Sequence, residues 1–159
     1  MKLLILGGTR FLGRHLVTSA QARGHEVTVF NRGNYPAEVE TIKGDRHTEL
    51  HKLRGRRWDA VVDTSGHLPR SVKAAAEVLS NEVEQYVFIS SQNAYKDVSV
   101  PGIEETYPLR ALTNEQLERA NSIDTSGEPS YAELYGGLKA LCEQAAEEAM
   151  PDRVLIIRP

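Results

Sequence analysis

The chain opens with an apolar stretch, Lys2-Leu3-Leu4-Ile5-Leu6, that runs directly into Gly7-Gly8-Thr9-Arg10-Phe11-Leu12-Gly13. A strand that turns through glycines into a helix brings bare backbone N–H groups and a helix N-terminus to one point, and that point suits an anion. Such a strand is also the first half of a βα unit, the building block of parallel sheets covered by helices. The glycine spacing alone is a weak signal. It is wider than G-x-G-x-x-G, Arg10 stands inside it, and a plain tight turn is the competing reading.

The rest of the chain repeats the alternation. Leu12, Leu16, Val17 and Ala20 share one face of a helix expected over Phe11–Arg23, which Gly24 ends. Strands are expected at His25–Phe30, closed by Asn31-Arg32-Gly33, at Glu40–Ile42, leading into Gly44-Asp45-Arg46, and at Asp59–Asp63, before a loop with Gly66 and Pro69. A helix over Arg70–Asn81 leads to a fifth strand, Gln85–Ser90. The stretch Gln92–Ser130 holds Pro101, Gly102, Pro108, Gly127 and Pro129 with one polar helical segment at Asn114–Asn121. It reads as a loop-rich insertion at the carboxyl end of a strand, where open α/β sheets place their ligands. A long helix over Ala132–Ala149, with Pro151 just beyond, precedes a sixth strand in Arg153–Pro159. The pattern predicts an α/β, Rossmann-type doubly wound sheet of six strands in order 3-2-1-4-5-6, helices on both faces, over residues 1–159 as one dinucleotide-binding domain. The last strand stops where it should enter a loop. That predicts a chain cut short of a C-terminal substrate domain, against the alternative of a one-domain protein ending on an edge strand.

Composition narrows the classes. A length of 159 residues suffices for one real core, and a net charge of −3 gives no bias toward nucleic acid or anionic membrane. The single cysteine, Cys142, rules out an internal disulfide and fits a reducing compartment. No apolar run approaches a membrane span, and the N-terminal strand lacks a signal-peptide core, so a cytoplasmic location is expected. No metal site is expected.

Three places carry candidate chemistry. The end of the second strand reads Asn31-Arg32 with no carboxylate, and Arg10 lies across from it in the glycine loop. An acidic residue there would hold the ribose hydroxyls of NAD, whereas two guanidinium groups suit a 2′-phosphate, so NADP is favoured over NAD. The alternative is two solvated surface arginines. Tyr135-Gly136-Gly137-Leu138-Lys139 places Tyr135 and Lys139 one helical turn apart. A nearby ammonium favours the phenolate, which can then exchange a proton with a substrate hydroxyl, and the glycines are expected to leave space beside the tyrosine. By itself this spacing also describes a surface pair. Finally, Ser90-Ser91 ends the fifth strand, where a hydroxyl can face the crevice and hydrogen-bond a carbonyl or alkoxide, or can simply cap the strand.

These motifs, in this order, with Tyr95 after the serines and Glu143 after the lysine, resemble the extended short-chain dehydrogenase/reductase superfamily. More narrowly, they resemble its NAD-dependent epimerase/dehydratase branch, and Ile156-Ile157-Arg158-Pro159 resembles that family's sixth strand. The resemblance implies that Gly7 and Gly13 form the dinucleotide turn, with Gly8, Thr9, Arg10, Phe11 and Leu12 around it. Asp45 would contact the adenine amine, with Arg46 beside it, and Asn31, Arg32 and Ser90 would add cofactor contacts. It implies Tyr135 as general acid/base, Lys139 on the nicotinamide ribose and Ser91 as the catalytic hydroxyl. The implied reaction is hydride transfer at a carbon bearing a hydroxyl, on a nucleotide-sugar-like or other hydroxylated small molecule, by an epimerase, dehydratase or reductase.

Arg10 replaces a glycine of the family's G-x-x-G-x-x-G, and this variant resembles an atypical subgroup that includes chloroplast stem-loop RNA-binding proteins. The fourth-strand exit also departs, reading Val62-Asp63-Thr64-Ser65-Gly66-His67 where small apolar residues are usual. Asp63 and His67 there are either substrate contacts or structural. The rival function is a non-catalytic dinucleotide-sensing or RNA-binding relative, resting on Lys52, Arg54, Arg56 and Arg57 beside Trp58. Nucleic acid is the less favoured partner, because a basic run is usually a solvated face. A homodimer through Val72–Leu79 and Leu134–Ala146 is a further expectation.

Overall fold

A computed structural model describes residues 1–123 and 132–159. Gly127 and Pro129 of the expected insertion lie outside the described residues. Strands β1 (Lys2–Leu6), β2 (Glu26–Asn31), β3 (Glu40–Lys43), β4 (Trp58–Asp63), β5 (Val83–Ile89) and β6 (Val154–Ile157) form one sheet in the order β3-β2-β1-β4-β5-β6. All its pairings are parallel. Helices α1 (Phe11–Ala22), α2 (Pro69–Leu79), α3 (Asn114–Asn121) and α4 (Tyr135–Ala149) supply the connections. The fold class and strand order are those the sequence pattern predicts.

Register fixes the two faces. Ile5 sits beside Val29 and Val62, Val62 beside Val87, and Val87 beside Leu155, so these five share one face. Over its β1–β2 side lies α1, whose Val17 and Ala20 pack on Ile5, Val27 and Val29. The opposite face carries Leu4, Leu6, Val61, Tyr86 and Phe88 under α2 and α4, the larger core. Burial on both faces explains why β1 and β2 read as continuous apolar runs, whereas Leu155 and Ile157 of β6 stay exposed on the α1 face.

Several boundaries differ from expectation. Ala132–Leu134 forms a 3₁₀ turn and the α-helix begins at Tyr135. A second 3₁₀ turn, Leu50–Leu53, sinks both leucines into the larger core. Trp58 is in β4 and buried, so it belongs to the core rather than to an exposed basic run. The described part of the insertion folds back on itself: Lys96 N–H donates to Pro108 O at 2.8 Å and Arg110 N–H to Ala94 O at 2.7 Å. The faces of α2 and α4 that carry Val72, Leu79, Cys142 and Ala146 are spent on the core. Among the described residues, no helix is long and apolar enough to cross a membrane.

Candidate dinucleotide site

The opening turn is built around missing side chains. Gly7 and Gly8 have φ of 102° and 83°, a region that L-residues avoid. A Cβ on Gly7 would lie 2.6 Å from Thr64 Oγ1, and one on Gly13 would lie 2.8 Å from the Gly8 Cα. Helix α1 therefore sits directly on the turn. No side chain caps it and no acidic residue occupies its first turn, so the helix presents its positive end at the carboxyl edge of the sheet. Phe11, the first helical residue, has φ of 35° and is 87% exposed.

Asn31 at the end of β2 holds this turn in place. Its Nδ2 donates to Gly7 O at 3.0 Å, and its Oδ1 accepts from Gly33 N–H at 2.8 Å. The side chain expected to touch a cofactor is thus engaged as the loop's support.

A cavity of about 830 Å³ runs from the glycine turn to Tyr135. Gly8, Thr9, Arg10, Arg32 and Tyr35 are among its lining residues, and the Arg10 guanidinium lies 5.8 Å from the centre of the Tyr35 ring. The sequence signal for Tyr35 is only an aromatic two residues past the Gly33 turn. Asp45 is on the wall, with Oδ1 accepting from His47 N–H at 2.7 Å.

Arg46 also lines the cavity, but its terminal nitrogens are committed inward. It forks onto Asp63 with two contacts of 2.9 Å and reaches Ser65 Oγ at 2.9 Å. Asp63 is fully buried and also accepts from the Tyr86 hydroxyl at 2.8 Å. Burial raises its pKa, but the Arg46 charge and hydrogen bonds outweigh this and hold the carboxyl below the usual value. Asp63 is therefore a structural anion, and the substrate-contact reading fails for it. His67 does line the cavity; burial first, then the Lys139 and Arg46 charges, push its pKa down to about 4.

The two serines part company. Ser90 Oγ donates to Glu143 Oε1, and Arg158 grips the same carboxylate at 2.9 and 2.7 Å while also reaching the Tyr95 hydroxyl at 3.1 Å. Ser90 thus ties β5 to α4. Ser91 Oγ accepts from Asn93 N–H at 3.2 Å and caps the 3₁₀ turn Gln92–Ala94. Lys139 is buried, with Nζ donating to Gly66 O at 2.9 Å and Ile89 O at 2.6 Å, over the Phe88 ring. Burial lowers its pKa. Among the described residues no hydrogen bond joins Lys139 to Tyr135.

Nor do the glycines leave space beside Tyr135. A Cβ on Gly136 would fall 2.1 Å from Asn93 O, and one on Gly137 would fall 2.2 Å from Leu112 Cδ2. Their function is contact: Gly136 brings α4 against the turn that follows Ser91, and Gly137 brings it against Leu112.

Two of the four basic residues of the run, Lys52 and Arg56, are ion-paired. Lys52 pairs with Glu49, and Arg56 Nη2 reaches both Glu40 oxygens at 2.8 Å while lying over the buried Trp58.

A glycine turn under an uncapped helix, at the carboxyl edge of a 3-2-1-4-5-6 parallel sheet, defines the Rossmann class. The family follows from comparison: residues 3–114 match the NAD dependent epimerase/dehydratase family, and the chain belongs to it. It is 32% identical over 165 residues to the chloroplast stem-loop binding protein of 41 kDa b of Arabidopsis thaliana, covering 86% of this chain and 43% of that protein. It is 28% identical over 156 residues to the 2-alkyl-3-oxoalkanoate reductase of Stenotrophomonas maltophilia (strain K279a), covering 91% and 45%. Among solved structures, a UDP-galactose 4-epimerase superposes with a TM-score of 0.71 at 21% identity, over 99% of this chain and 55% of that one. MoeE5 in complex with UDP-glucose and NAD gives 0.68 at 20%, over 98% and 52%. The chain spans about half the length of these relatives.

Proposed function

We propose that this chain is the cofactor-binding part of an NADP-linked oxidoreductase or epimerase of the short-chain dehydrogenase type. The observation that supports the NADP preference is that Arg10 and Arg32 both line the cavity, at a β2 end without a carboxylate. The residues present fit a dinucleotide: the turn has no room for a Cβ at Gly7, Gly8 or Gly13, and α1 offers its uncapped N-terminus to a pyrophosphate. In this reading Arg10 and Arg32 hold the 2′-phosphate and Asp45 takes the adenine amine. Lys139 keeps two protons on Gly66 O and Ile89 O and offers its third to the nicotinamide ribose. Bound nicotinamide supplies the hydride chemistry. Tyr135 exchanges a proton with the substrate hydroxyl, while Ser91 hydrogen-bonds the same oxygen.

The substrate is a nucleotide-sugar-like or other hydroxylated molecule, a reading supported by neighbours that include nucleotide-sugar epimerases. A substrate-binding part beyond residue 159 is supported by the relatives' length and by Leu155 and Ile157, which stay exposed on the same sheet face as α1 but beyond the β1–β2 side that α1 covers. Pairing of two copies through α2 and α4 belongs to the same proposal. An RNA-binding role has the weaker support, since Lys52 and Arg56 are paired and Trp58 is buried.

Calorimetric titration with NADP⁺ and NAD⁺ tests the reading. The wild type should prefer NADP⁺, and Arg32→Asp should lose NADP⁺ affinity sharply with a shift toward NAD⁺. Unchanged NADP⁺ affinity without that shift refutes the assignment. In a chain that includes the substrate-binding part, Tyr135→Phe should abolish turnover and leave cofactor affinity nearly unchanged.

A further inference from the structure

We infer that Arg46 is a positioning residue of the dinucleotide site, a part-buried clasp on the buried Asp63 that fixes the cavity's adenosine-side wall without itself binding the ligand. The inference rests on the dinucleotide reading above. Arg46 belongs to the turn after β3, yet its guanidinium joins three separate segments. It forks onto Asp63 at the end of β4, reaches Ser65 Oγ in the β4 exit and Ser71 O in the first turn of α2, the last at 3.3 Å. Each of those segments puts a side chain on the cavity: Asp45 and His47 from the first, Thr64 and Ser65 from the second, Ser71 from the third.

The clasp is cross-braced on every side. Asp63 Oδ1 also accepts from Ser65 N–H at 3.0 Å, Tyr86 supports Oδ2 from beneath, and Ser71 Oγ bonds His47 Nδ1 at 3.1 Å. Thr64, the next residue after Asp63, donates to Leu6 O at 2.8 Å and stands where a Gly7 side chain would be. The adenosine-side wall and the glycine turn are therefore one connected piece.

A buried ion pair is a poor device for stability, because an apolar pair of the same volume often serves as well or better. What the planar fork provides is a fixed orientation. The Arg46 Nε–H, buried with no partner among the described residues, fits this. The guanidinium is oriented by Asp63 at the expense of one of its own donors. A wall fixed in advance spares the ligand the entropy of ordering it.

The test measures dissociation constants for NADP⁺ and for adenosine 2′,5′-bisphosphate, which carries the adenosine half alone, beside thermal midpoints. Arg46→Met should weaken both ligands to the same degree, by about tenfold or more, and Arg46→Lys, which keeps the charge but not the fork, should fall between. Leu79→Ala, in the same core but away from the cavity, should lower the midpoint and leave both constants within about twofold of wild type. Should Arg46→Met fail to fold, the near-isosteric Asp63→Asn carries the test and should also weaken both ligands. Affinities unchanged in a folded clasp variant, or a loss matched by Leu79→Ala at equal destabilisation, overturn the inference. A wild type that binds neither NADP⁺ nor NAD⁺ refutes the dinucleotide reading itself.

Discussion

Replacing Gly136 by alanine sets two physical effects against each other. On helix propensity alone the change stabilises, by up to about 1 kcal/mol in a helix interior and less in the first turn of α4. The structure predicts the opposite sign. The new Cβ would lie 2.1 Å from Asn93 O and 3.0 Å from Asn93 C, and these are backbone atoms of a turn held by Ser91 and by the bond from Arg110 N–H to Ala94 O. Relieving such a contact moves a helix or a turn, at roughly 1–3 kcal/mol for overpacking of this kind. A net loss of about 2 kcal/mol lowers the midpoint of a chain this size by roughly 4–8 °C. Gly137→Ala makes a useful partner. Its Cβ meets the end of the Leu112 side chain, which can rotate away, so the loss should be about 1 kcal/mol or less. Urea and thermal denaturation of both variants decide the matter. Gly136→Ala equal to or more stable than wild type, or less harmful than Gly137→Ala, refutes the claim that these glycines exist for contact.

Two further perturbations bear on the same framework. His67 has its pKa depressed to about 4 against an ordinary 6.5. The unfolded chain therefore takes up a proton on falling below pH 6.5 that the folded chain refuses until about 4. Its contribution is present above 6.5 and is lost as pH falls through that window. An NMR titration should place the His67 midpoint near 4, and His67→Gln should flatten the stability loss over the window; a midpoint above 6 contradicts the assigned surroundings. Arg158→Met strands the buried Glu143 carboxylate, so it should cost about 3 kcal/mol, the scale for breaking a buried pair. A loss under 1 kcal/mol by urea denaturation would mean that the Ser90–Glu143–Arg158 tie contributes little.

The fold was legible because the central strands carry apolar runs between turn-forming residues, and the glycine turn was legible because its cause is local. The site was legible in part. Ser90 could have been assigned inward from the sequence, since it continues the phase of Tyr86 and Phe88, which face the core beneath α4. The direction of Arg46 could not, because it depends on Asp63 and Tyr86, 17 and 40 positions away along the chain. The glycines after Tyr135 misled for the same reason. What fills the space beside them is Asn93 and Leu112, contributed by another segment.

The most direct test of the account is a crystal structure of the chain with NADP⁺. It should show the pyrophosphate at the Gly7–Gly13 turn, the 2′-phosphate between Arg10 and Arg32, and Arg46 still on Asp63. A 2′-phosphate pointing to solvent away from both arginines, or a dinucleotide bound outside this cavity, would contradict it.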